Sequence, residues 1–131
     1  MNANNRGTAL MWTTCSNAVG AAKLLIASGA DVNAKTDDGW TALMYAMLNN
    51  AVDVAKLLIA SGADVNAKLS NGWTALIFAT LNNAVDVAKL LIASGADINA
   101  MDNDGKTALT YAMERGSEGV VDVLLNAVGA R

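Results

Sequence analysis

The chain has 131 residues, with 12 Asp plus Glu against 9 Lys plus Arg, one cysteine and no histidine. Its lysines are scattered singly, which excludes the clustered basic surface that nucleic-acid phosphates require. The single Cys15 excludes an intrachain disulfide and a metal site of the usual Cys/His type, and the missing histidine removes the commonest general base. No apolar run approaches the ~20 residues that span a bilayer, and the opening MNANNRG lacks the features of a secretory signal, so the expected setting is cytoplasmic.

The elements recur along the chain. TALMW begins at 8, TALMY at 41, TALIF at 74 and TALTY at 107, in steps of 33, and KLLIASGAD recurs at 23, 56 and 89. A period of this length marks a repeat architecture. The units run over about 1–35, 36–68, 69–101 and 102–131 and are expected to form a single domain.

The second unit shows the physical logic. Asp38-Gly39 is a tight-turn signal, repeated at Asn71-Gly72 and Asp104-Gly105. Thr41 suits a helix N-cap, because its hydroxyl can accept from an otherwise orphan backbone N–H. A short helix is predicted from Ala42 to about Leu48, with Leu43, Ala46 and Met47 facing inward. Asn49-Asn50 breaks it, since Asn enters the left-handed region more readily than other non-glycine residues. A second helix is predicted from about Ala51 to Ser61. Val54, Leu57 and Leu58 form its apolar stripe, and Asp53 and Lys56 form an exposed ion pair of small value. Gly62 ends it in a left-handed conformation. Asp31, Asp64 and Asp97 are expected to bond to loop backbone.

With GADVNAK followed by a turn, Gly-x-Thr and a downstream VAKLLIASGAD, repeated along nearly the whole chain, the sequence resembles the ankyrin repeat. The resemblance implies an all-α ankyrin-repeat solenoid of about four helix-turn-helix units with projecting β-hairpin or turn loops. It also implies a concave face, lined by first helices and fingertips, that binds partner proteins. The chain departs from the family pattern at Ala9, Ala42, Ala75 and Ala108, where the family carries Pro. Met11, Met44, Ile77 and Thr110 stand at its His position, so apolar packing is expected to replace the Thr–His hydrogen bonds.

Carried onto this chain, the resemblance places Trp40, Trp73, Leu48, Leu81, Leu69 and Met101 in one apolar strip along the binding face. The tryptophans have an equally good alternative role, packing on a neighbouring finger. Cys15 falls on the same groove side of a first helix. A second candidate surface is a low ridge at the start of the second helices, formed by Ala51, Val52, Ala84 and Val85. Met47, Met113, Tyr45, Phe78 and Tyr111 are expected in the inter-repeat core.

Catalysis is not expected. Cys15 has no histidine to activate it, and Asp37 and Asp38 have no pocket to separate their pKa values. Phosphate-loop signatures are missing, and neither a cofactor, a metal nor a small-molecule substrate is expected. The function expected is a protein-interaction scaffold that self-associates into a symmetric homo-oligomer, a dimer before a tetramer. The alternative is a monomeric adaptor holding a segment of another protein. The near-identity of the units, Leu48 to Ala67 differing from Leu81 to Ala100 only by Val65 against Ile98, fits an engineered or consensus-built array or a recent duplication.

Overall fold

A computed structural model describes residues 9–127. Residues 9–12 are helical, followed by α1 (Val19–Ala27), α2 (Ala42–Leu48), α3 (Val52–Ala60), α4 (Ala75–Leu81), α5 (Val85–Ala93), α6 (Ala108–Arg115) and α7 (Glu118–Ala127). Among the described residues β pairing is limited to an isolated antiparallel bridge between Lys68 and Thr74. Two compact units divide between Asp64 and Val65. The first holds the 9–12 stretch and α1 to α3, the second α4 to α7. Val128, which stands in the sequence where the other units carry their helix-ending glycine, lies outside the described residues.

The helical hairpins close for the reason the residue types imply. Asn17, Asn50 and Asn83 have φ of 53°, 52° and 50°, and glycine takes over at Gly116, φ 68°. The reversal lets the next residue bond back to the first helix, as in Ala51 N to Ala46 O at 2.8 Å and Ala84 N to Ala79 O at 3.0 Å. The asparagine also joins adjacent repeats. Asn17 Oδ1 accepts from Val54 N at 3.1 Å, and Asn83 Oδ1 accepts from Val120 N at 3.1 Å. Each bond satisfies a first-turn N–H that has no partner inside its own helix.

Thr41 caps α2 by accepting from Met44 N at 3.3 Å. Thr107 caps α6 in the same way, and Thr110 Oγ1 returns the bond by accepting from Thr107 N. Of the residues at the family's His position, Met44 and Ile77 are fully buried. Thr110 instead completes a capping box. Leu10, Leu43, Val54 and Leu58 build the core of the first unit, and Leu76, Leu91, Val120 and Leu124 that of the second.

Two expectations fail. Asp53 does not pair with Lys56; its carboxylate accepts from Asn17 Nδ2 at 3.3 Å, so it reinforces the repeat junction instead. Met113 is not core but 65% exposed, although Met47 and Thr80 in the same register are fully buried. Helical periodicity brings Met113 to the junction side of α6, but no described residue covers that side.

The loops are tied across repeats by the Gly-Ala-Asp-x-Asn element. Asp31 Oδ1 accepts from Asn33 N and Asp97 Oδ1 from Asn99 N, so each aspartate folds its own loop. Within the first unit Asn33 donates to Gly62 O and accepts from Asp64 N at 2.7 Å; within the second, Asn66 treats Gly95 and Asp97 alike. At each turn the chain doubles back: Thr36 N donates to Trp40 O, Leu69 N to Trp73 O and Asp102 N to Lys106 O.

Candidate protein-binding face

The residue after each turn glycine lies against the ring five positions later. Trp40 stacks on Tyr45, ring centroids 4.7 Å apart and planes at 26°. Trp73 meets Phe78 edge-on at 5.2 Å and also touches Tyr111 at 5.1 Å. Lys106, in the same register, holds its Nζ 5.3 Å from the centre of the Tyr111 ring. The two indoles are therefore half-buried packing groups that brace finger against helix.

The first repeat breaks this pattern. In the sequence, glycine (Gly7) occupies the register of Trp40 and Trp73. The ring five residues on is Trp12, which is 73% exposed. Beside it lies a cavity of about 250 Å³ lined by Met11, Trp12, Cys15, Thr36 and Tyr45. The walls carry no carboxylate, amine or guanidinium, and their polar side-chain groups are one thiol, two hydroxyls and an indole N–H. A space just below the range of small-molecule sites suits one apolar side chain better than a cofactor.

The backbone shapes this site. Thr13 Oγ1 and Thr14 Oγ1 donate back to Leu10 O and Met11 O, so their hydroxyls are satisfied inside the fold. Asn49 Nδ2 bonds Thr14 Oγ1 at 3.1 Å and approaches Cys15 Sγ at 3.9 Å, fixing the far wall from α2. Cys15 itself is exposed.

The other sequence-nominated residues are dispersed in character. Leu48, Leu81 and Leu69 are half-buried, while Met101 is 58% exposed on its finger. The Ala-Val ridge is not an open surface. Ala51 and Ala84 are 2% and 3% exposed, because the bond that closes the interhelical turn directs them inward. Val52 and Val85 are half-buried, and Val85 Cγ2 lies so close to Gly119 that a Cβ there would sit 2.6 Å away.

The last finger is organised by a buried carboxylate. Asp102 Oδ1 accepts from Asp104 N and Lys106 N at 2.9 and 3.0 Å, and Oδ2 accepts from the Tyr111 hydroxyl. The Tyr111 bond holds the Asp102 carboxyl below the usual carboxylate range; burial opposes this, and the two N–H groups and the Lys106 charge assist it. The same bond, with burial, pushes the Tyr111 hydroxyl above its usual value. A depressed carboxyl stabilises the fold above the ordinary carboxyl pKa near 4 and loses that contribution as pH falls through its lower folded value. A raised phenol stabilises below about pH 10 and loses its contribution as pH rises through its higher folded value. The stability gap between the parent and Tyr111→Phe should thus be constant across neutral pH and close at both extremes, as read by urea midpoints. The Lys106–Glu114 ion pair, 3.2 Å with both ends exposed, adds little.

Among the described residues no group of three His, Cys, Asp or Glu side chains is placed to hold a metal, and no helix is long and apolar enough to cross a membrane. The family model described as ankyrin repeats (3 copies) matches residues 1–69 and 66–131. The chain belongs to the ankyrin-repeat family. Its fold class is the all-α repeat solenoid, and ankyrin repeats serve as protein-interaction modules. No curated protein matches the chain significantly. In this ankyrin array, Trp12 is the exposed aromatic that sequence reasoning passed over. Its register with Tyr45 reads as core, and the difference visible in the sequence is a glycine at 7 where the next two repeats carry Trp40 and Trp73.

Proposed function

We propose that this ankyrin array is a non-catalytic scaffold that seats an apolar side chain of a partner protein in the cavity beside Trp12. The observation that carries this reading is an indole exposed over a cavity without charged walls. Large aromatic groups beside a pocket are the usual anchors of protein interfaces. The single free thiol fits a reducing, cytoplasmic setting. Near-identical central units fit an array copied from one unit, by design or by duplication.

A displayed random-peptide library selected on the protein tests the proposal. Selected peptides should share one large apolar residue, and Trp12→Ala should weaken them by at least about 2 kcal/mol, roughly 30-fold in Kd. Leu24→Ala, away from the cavity, should leave binding unchanged. Peptides that bind Trp12→Ala as tightly as the parent would remove the cavity from the interface.

A second reading is a self-associating scaffold forming a symmetric homo-oligomer. It is favoured by large apolar side chains exposed away from the cavity: Leu24, Met101 and Met113. The tryptophan and half-buried leucine positions Trp40, Trp73, Leu48 and Leu81 offer it less area than their residue types imply.

A further inference from the structure

Each compact unit contains one junction between successive repeats, and the two junctions are built alike. In the first, α1 packs on α3; in the second, α5 packs on α7. The earlier repeat contributes Thr14 or Thr80, both fully enclosed, and the later one contributes Val54 or Val120, both with no exposed surface. A residue's accessibility at these positions therefore reports whether a neighbouring repeat is present on that side.

Two faces carry the same positions without a neighbour among the described residues. Thirty-three residues beyond Thr80 stands Met113, 65% exposed, with Leu125 also exposed on α7. Thirty-three residues before Val54 stands Ala21, exposed, next to Lys23 and to Leu24, which is 72% exposed. One face is the donor half of the repeat junction and the other its acceptor half.

Charge points the same way. The helices α3 and α5 each carry one Asp and one Lys, whereas α1 carries Lys23 and no acid. The helix α7 carries Glu118 and Asp122 and no base. In both observed junctions a second helix lies against the second helix of the next repeat. An α7 placed against an α1 would bring two acids beside one lysine, and all three side chains are exposed.

We infer that copies of this chain stack end to end, the Met113–Leu125 face of one copy covering the Ala21–Leu24 face of the next. The inference rests on the second reading above, that the chain associates with itself, and names its surface and partner. The contact is heterologous, so it propagates into a growing series or a ring rather than stopping at a two-fold dimer. It is weaker than an internal junction. Gly116 stands where Asn17 and Asn83 bond the next helix, so that cross-junction hydrogen bond is missing.

Complementation between blocked copies tests it. Leu24→Glu blocks one face and Met113→Glu the other, and both positions are exposed enough to leave folding intact by circular dichroism. Mass is measured by light scattering from about 10 μM to about 1 mM, a range spanning weak association. The parent is expected to grow with concentration beyond twice its 13.4 kDa. Each blocked variant alone should remain at monomer mass, and their equimolar mixture should reach dimer mass and stop. A parent that stays monomeric throughout overturns both the self-association reading and this inference. A parent that associates while the blocked variants associate equally, or while their mixture stays monomeric, overturns the end-to-end contact alone.

Discussion

Replacing Gly72 by alanine should lower the free energy of unfolding by about 2–5 kcal/mol, whereas the same change at Gly105 should cost only about 1–2 kcal/mol. Both glycines sit after a turn residue with positive φ, 88° and 78°, where a Cβ is strained. They differ in what surrounds them. A Cβ on Gly72 would lie 2.7 Å from Asp102 Cα and 3.0 Å from Asn103 N, whereas nothing lies within 4 Å of one on Gly105. The obstruction is backbone, and that backbone is held in place. Asn103 N donates to Asn71 O and Asn103 Nδ2 donates to Ser70 O, both at 2.9 Å, so successive fingers of the second unit are bonded main chain to main chain. The backbone strain is common to both variants, and the overpacking belongs to Gly72 alone. Urea unfolding of the two variants beside the parent isolates the difference. Equal losses would mean that the fingers can separate at little cost.

The second large effect is expected at Leu58. Its side chain is fully buried where α3 meets its neighbours, and truncation to alanine should cost about 2–5 kcal/mol, the lost transfer energy plus the cavity left behind. Leu24→Ala is the matched control, an apolar residue of the same size on the equivalent helix but largely in water, and should change stability by less than about 0.5 kcal/mol. Stability in repeat arrays is a sum of unit and junction terms. A Leu58 variant that unfolds in two steps would show the junctions to be less cooperative than their shared hydrogen bonds imply.

The fold was legible because its signals are local and recur. The turn glycines, the threonine caps, and the asparagines at φ near 50° each act within a few residues, and the 33-residue step reinforces each of them. The helix α2 begins and ends where the spacing predicts, Ala42 and Leu48. The binding face was less legible because exposure is decided by neighbours outside the repeat. Met113 and Met47 are the same residue in the same register, yet one lies open and the other enclosed. Ala51 and Ala84 suggest a flat ridge by composition, but the turn-closing bond faces them inward. Trp40 and Trp73 look like free anchors until the rings at Tyr45, Phe78 and Tyr111 are placed beside them. Trp12 is the converse case. It stands in the register of Tyr45, which is stacked against Trp40, yet it is 73% exposed, and at the Trp40 register its own repeat carries glycine in the sequence.

Cys15 offers the most direct test of the account. It is the chain's only cysteine, it is exposed, and it lines the cavity beside Trp12, so iodoacetamide reports on that cavity alone. Alkylation should slow in proportion to occupancy as a library-selected peptide is added to the folded protein. An alkylation rate unchanged at saturating peptide would place the binding site elsewhere on the array.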